Sequence, residues 1–291
     1  MADEKHIDPI TGTATTGHEW DGLRELNTPL PRWWLYLFYA TIVWAIGYWI
    51  FYPAWPLISN STQGLLGYHT RTAIVSDLAA LKAQRGPMME KLATASVSEI
   101  ATDPQLSDFA RAVGRVAFAD NCAPCHGSGG GGGKGYPNLN DDDWLWGGKL
   151  TDIENTIRHG ARSGDDKAHQ GNMPAFGRDG ILKPEQISNV ADYVRSLSGL
   201  PTDPGANLAA GKQVFADNCA ACHGPEGKGN REVGSANLTD KIWLYGSDKH
   251  TIMLGVQNGR GGVMPNWGAR LDEPTLKSLA VYVWSFGGGE K

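Results

Sequence analysis

Phe118-Ala-Asp-Asn-Cys122-Ala-Pro-Cys125-His126-Gly127 returns almost unchanged as Phe215-Ala-Asp-Asn-Cys219-Ala-Ala-Cys222-His223-Gly224. Two Cys-x-x-Cys-His motifs in one chain point to two covalently attached c-type haems. On a helical turn, cysteines three apart face one side, where both can add to the vinyl groups of one porphyrin. The histidine that follows is then delivered to the iron as an axial ligand. Cys122 and Cys125, with Cys219 and Cys222, are therefore the expected attachment points, and His126 and His223 the expected iron ligands.

Other uses of paired cysteines fit less well. A redox dithiol needs a βαβ context that neither motif has, and a four-cysteine zinc site places its second pair about 15 to 20 residues downstream. Here the pairs are 97 residues apart. The two motifs consume all four cysteines, which leaves no structural disulfide to explain. The run Gly127-Ser-Gly-Gly-Gly-Gly-Gly-Lys134-Gly135 has the flavour of a phosphate loop, but Ser128 stands where its first glycine belongs and Gly135 where a hydroxyl should hold magnesium. It reads better as a flexible loop at a haem edge.

The repeat extends well beyond the motifs. Gly114 and Phe118 match Gly211 and Phe215, Asn138-Leu139 and Trp144-Leu145 match Asn237-Leu238 and Trp243-Leu244, and Tyr193-Val194 matches Tyr282-Val283. The first copy carries about eight extra residues within 163–172. Each copy closes with an amphipathic helix, Ile187, Val190, Ala191 and Val194 in one and Leu276, Leu279, Ala280 and Val283 in the other. Pro184 and Pro274 sit in first turns, where a missing N–H is harmless. Strand signals are weak throughout. Both copies read as small all-α domains whose cofactor replaces much of the core.

An iron with one histidine needs a sixth ligand. Met173 in Asn-Met-Pro-Ala-Phe and Met264 in Val-Met-Pro-Asn-Trp are the methionines that recur in register, each on a loop stiffened by proline. Met253, His159 and His169 lack counterparts and are the fallback ligands. The other ring nitrogen of an axial histidine usually donates to a carbonyl, and Pro137 and Ala236 are placed to supply it. Arg162 and Arg260, in matching glycine-rich loops, either neutralise haem carboxylates or lie in solvent.

Towards the N-terminus the composition changes. Residues 1–31 show no apolar period and are expected to be extended or disordered, with His6 and His18 solvated. Residues 33–52, WWLYLFYATIVWAIGYWIFY, carry no charge and at about 1.5 Å per residue span about 30 Å, the thickness of a bilayer core. Aromatic belts flank the stretch and Pro53 and Pro56 end it. No small-residue cleavage site follows, so 32–58 reads as a retained anchor. Arg24 and Arg32 precede the span and the next basic residue is Arg71, which puts the N-terminus in the cytoplasm and the rest outside it. Residues 59–105 read as a connector, helical over 74–84, with a turn at Gly86-Pro87 and a short helix carrying Met88 and Met89. His69 in it is a weak candidate for a partner contact.

The net charge of −5, from 31 acidic and 26 basic side chains with no basic stripe, excludes a nucleic-acid binder. The expected architecture is all-α: one N-terminal transmembrane helix followed by two tandem class I cytochrome c-like domains, 106–200 and 205–291.

Asp8-Pro-Ile-Thr-Gly-Thr-Ala-Thr-Thr-Gly-His-Glu-Trp-Asp-Gly22, the Asn27-Thr-Pro-Leu-Pro-Arg-Trp-Trp34 entry and Tyr52-Pro-Ala-Trp-Pro56 resemble the dihaem FixP or CcoP subunit of cbb3-type cytochrome c oxidases, in its single-anchor branch. The resemblance implies a bacterial inner-membrane subunit with periplasmic haem domains. It implies electrons from a soluble or membrane-bound cytochrome c, passed towards a monohaem cytochrome c subunit and the haem-copper catalytic subunit, which reduces oxygen and pumps protons. A membrane-anchored dihaem shuttle for another enzyme and a dihaem peroxidase are the rival readings, the latter requiring one iron with a displaceable sixth ligand.

Overall fold

The computed structural model describes residues 6–290, which divide after Ala83 into two compact units. In the first, β1 (Thr15–Trp20) and β2 (Leu23–Leu26) form an antiparallel hairpin, where the sequence reading expects no regular structure. Its two-residue turn, Asp21-Gly22, has φ of 51° and 84°, the pair of positive values that a type I′ turn requires. Arg24 and Glu19 face each other across the strands and are joined by a salt bridge of 2.6 Å.

Helix α1 (Arg32–Phe51) buries none of its twenty residues within the protein. A core helix would be covered, so an apolar helix exposed all round matches a lipid-facing span. It ends at Tyr52, which is extended as a residue before proline must be.

Helix α2 (Thr70–Thr94) runs through Gly86-Pro87, so the expected turn there does not form. Pro87 removes one N–H from the helical ladder, but Ala83, whose carbonyl loses its donor, is solvent-exposed, and water can serve it. Met88, Met89 and the fully buried Leu92 then dock on the core described next, so both methionines are packing residues.

The second unit is helical: α3 (Val97–Thr102), α4 (Pro104–Asn121), α5 (Ala123–His126), α6 (Leu150–His159), α7 (Pro184–Leu197), α8 (Leu208–Asn218), α9 (Ala220–His223), α10 (Lys249–Asn258) and α11 (Glu273–Trp284). Local chemistry fixes their starts. Ser96 and Glu99 form a capping box on α3, and Asp103, Asn207, Asp248 and Asp272 each cap a helix through side-chain oxygen.

The packing crosses between the repeats. Helix α4 lies on α11, and α7 lies on α8. Glycine permits each crossing: a Cβ on Gly114 would stand 2.3 Å from the Ser278 carbonyl oxygen, and one on Gly211 would stand 2.2 Å from that of Asn189. Tyr282 meets Phe118 edge-on at 5.6 Å and Tyr193 meets Phe215 at 5.4 Å, so each repeat's tyrosine serves the other's phenylalanine.

Two cores result. One gathers Ile100, Leu106, Phe118, Ile153, Leu276 and Leu279; the other gathers Phe176, Ile187, Val190, Val194, Phe215 and Val256. The second body is one continuous stretch from about Met173 to α10, nested inside a first body built from α3–α6 and, much later in the chain, α11. The two connecting strands are tied by reciprocal backbone bonds, Met173 with Arg260 (2.9 and 3.1 Å) and Ala161 with Met264 (both 3.0 Å).

Candidate haem-binding sites

Each motif sits at the same kind of corner. Helix α4 ends at Cys122, whose carbonyl accepts from the N–H of Cys125 (3.1 Å) and of His126 (2.9 Å), winding the motif into the single turn of α5. Cys219, Cys222 and His223 repeat the arrangement with the same distances. Both cysteines of a pair thus project from one turn.

Burial, and next the neighbouring cysteine, pushes the thiols of Cys122 and Cys219 up to about 11. A redox dithiol needs the opposite shift. Neither Cys122 nor Cys219 is tuned for exchange.

The histidine rings are fixed as expected. His126 Nδ1 lies 2.9 Å from the Pro137 carbonyl oxygen and His223 Nδ1 2.9 Å from that of Ala236. Donation through Nδ1 would leave the Nε2 lone pair free to take a metal. Burial holds the His223 imidazole below its ordinary value, which keeps it neutral and able to ligate.

Each methionine packs with the other repeat's motif. Met264 packs on the core that also takes Cys122, Leu139 and Trp144, while Met173 packs on the one that takes Cys219, Leu238 and Trp243. The nested topology causes this, because each methionine loop follows the crossing and enters with the helix that packs on the other repeat's motif helix.

The fallback ligands divide. Met253 packs on the second core. His159 bonds Asp165 at 3.1 Å, and His169 stacks on Trp146 at 4.4 Å with Nε2 against Thr156 Oγ1, so both are engaged by side chains of the first repeat. His6, His18 and His69 are exposed.

Arg162 donates to the carbonyls of Gly171 (2.7 Å) and Gly262, lying near Trp146, while Arg260 lies over the Tyr245 ring at 4.2 Å. Arg162 at least is spent on the interface between the bodies. Trp146 and Tyr245 in turn abut Gly234 and Gly135, in the loops that carry the histidine acceptors of the opposite repeats. Periodicity and spacing carry no signal of this bracing.

The donor set fits a haem in each body: a cysteine pair on one turn followed by an anchored histidine, and a methionine on the core that takes the first cysteine. The indole Nε1 of Trp243, buried and without a hydrogen-bond partner among the described residues, adds a donor that suits a carboxylate. A cavity of about 470 Å³ is lined from both repeats by Asp143, Trp144, Asn230 and Arg231 among others.

Comparison with known proteins agrees along the whole chain. The family described as the N-terminal domain of cytochrome oxidase-cbb3, FixP, matches residues 12–59, cytochrome c matches 112–198, and cytochrome C oxidase, cbb3-type, subunit III matches 206–283. The cbb3-type cytochrome c oxidase subunits FixP of Bradyrhizobium sp. (strain ORS 278) and of Bradyrhizobium diazoefficiens are 60% and 59% identical over 290 residues, covering 100% of each chain. The CcoP subunit of Cereibacter sphaeroides is 52% identical over 277 residues, 95% of each. The protein is a mostly helical, membrane-anchored subunit with two tandem cytochrome c domains and two covalently bound haem c groups. The chain belongs to the FixP/CcoP family, the dihaem electron-transfer subunits of cbb3-type cytochrome c oxidases.

Proposed function

We propose that the two bodies hold their irons crosswise. Cys122 and Cys125 attach the first haem, with His126 and Met264 as axial ligands; Cys219 and Cys222 attach the second, with His223 and Met173. The observation that carries this reading is the sharing of one core by the first cysteine of each motif and the other repeat's methionine, with the motif's histidine anchored beside it. When bound, each haem supplies a one-electron iron couple, and a methionine ligand sets it high relative to histidine.

The chain's own contribution is rigidity and position. The fixed imidazoles, the proline-stiffened methionine loops and the doubled backbone ties at Met173 and Met264 allow little movement between oxidation states. With both axial positions taken by side chains the irons pass electrons and leave oxygen to another subunit. Electrons enter from a soluble or membrane-bound cytochrome c and continue to the monohaem cytochrome c subunit and the haem-copper catalytic subunit. The repeats 106–200 and 205–291 supply the two haem domains in the periplasm, and α1 anchors them in the inner membrane with the N-terminus in the cytoplasm, as the basic residues before the span favour.

Near-infrared magnetic circular dichroism of the purified full chain tests the ligation. Two histidine–methionine irons are expected, and one lacking sulfur ligation would contradict the reading. Copurification in mild detergent with a haem-copper subunit tests the partners; a chain that extracts with another enzyme instead would favour the shuttle.

A further inference from the structure

The repeats treat two equivalent tryptophans differently. Trp144 and Trp243 occupy matching positions, and each packs on the core of its own motif. Trp144 donates its indole N–H to the Gly288 carbonyl at 2.6 Å, whereas the buried N–H of Trp243 has no acceptor among the described residues. Leaving a buried donor without an acceptor is costly, so Trp243 marks where an acceptor belongs. The haem carboxylates are the acceptors that this core brings with it.

The partner of Trp144 comes from a strap formed by residues 286–290. Phe286 stands edge-on to Phe118 at 5.4 Å, Glu290 N–H donates to the Gly148 carbonyl at 2.8 Å, and Trp284 Nε1 donates to the Glu290 carbonyl at 3.0 Å. The Glu290 carboxylate pairs with Arg231 of the second repeat. The run Gly287-Gly288-Gly289 is what lets the strap lie so close: a Cβ on Gly288 would stand 1.9 Å from the Asp141 carbonyl oxygen and one on Gly289 2.2 Å from Trp284. After α7, the first repeat's closing helix, the chain instead turns away, with Arg195 Nε donating to the Pro201 carbonyl.

We propose that this C-terminal strap lowers the potential of the first haem by withholding from its propionate the indole hydrogen bond that Trp243 gives to the second. The inference rests on the haem placement proposed above. An N–H donor spreads the carboxylate's negative charge and so weakens its stabilisation of ferric iron; hydrogen bonding around the cofactor is one of the protein's levers on haem potential. The second haem is therefore the higher of the two, and at equilibrium a single electron rests there.

Redox titration of the full chain, with each haem followed by its own band, is the test. Trp243→Phe is expected to lower the second haem's potential and leave the first unmoved, while Trp144→Phe alone moves neither. Gly288→Ala, or deletion of residues 287–291, frees Trp144, so the first haem should sit higher in G288A than in G288A/W144F. An unchanged second haem in W243F overturns the proposal. So does a first haem that falls in W144F alone, or one with equal potentials in G288A and G288A/W144F. Low-spin spectra in the same samples keep this test separate from the ligation itself, since a wrong ligand assignment changes the spectra of the methionine variants and not those of the tryptophan variants.

Discussion

The first and second haem bodies are copies in sequence and unlike in construction. The second is a single continuous stretch, so its helices, motif and methionine come from neighbouring parts of the chain. The first waits for α11 and Met264, which follow only after the whole second body. Repetition therefore decides which residues do the chemistry, and the crossing decides which of them work together.

Truncation before residue 263 separates the two most sharply. It removes Met264 and the buried Leu276, Leu279, Val281 and Val283, each worth about 2 kcal/mol of burial, from a body whose net stability is about 5–15 kcal/mol. The first body should unfold and the second persist, halving the reversible redox amplitude. Proteolysis followed by mass mapping would show protection confined to the second body.

A smaller effect is expected at Asp192, which is 2% exposed in α7 and bonds Lys249 Nζ at 2.6 Å. Its equivalent in α11 is Val281, so the first body's closing helix carries no charge at the matching position. Lys249→Met should cost about 3–5 kcal/mol in denaturant melts, and Asp192→Val with Lys249→Met should recover most of it.

Gly114→Val and Gly211→Val should each cost about 3 kcal/mol, because the new side chain meets backbone at the helix crossings. Melts followed at each haem band should show G114V loosening the haem on Cys122 and G211V the haem on Cys219.

The least effect is at Asp143, whose counterpart is Ile242. Burial, then the carboxylates of Asp240, Asp141 and Asp142, pushes its carboxyl up to about 6. The fold thus prefers the protonated acid, an advantage complete below about pH 4 and lost as pH rises through 6. Asp143→Asn should stabilise by about 1 kcal/mol at pH 7, allowing for its half-exposed position, and by nothing at pH 4, as thermal melts at the two pH values would show.

Much of this was legible in the residues. The motifs, the histidines with their carbonyl acceptors at Pro137 and Ala236, and the faces of the closing helices follow from local spacing, and each is local in space too. Strand signals elsewhere are weak, yet Asp21-Gly22 is a strong hairpin turn, and the charge and proline around it masked the signal. Gly86-Pro87 misleads in the other direction, since a helix tolerates it when the freed carbonyl faces water. The crossing was not legible at all. Tyr193 and Tyr282 are equally good partners for Gly114 and Gly211 by pattern, and only the path of the connecting chain chooses between them. The strap escaped for a similar reason, three glycines carrying no periodicity.

The most direct test replaces Cys122 by serine, so that the first haem keeps one vinyl group and its band is shifted from the second's, and then titrates Met264→His and Met173→His in that background. The crosswise account predicts that M264H lowers the potential of the shifted band while M173H lowers that of the other. A shifted band that responds to M173H and ignores M264H would contradict it.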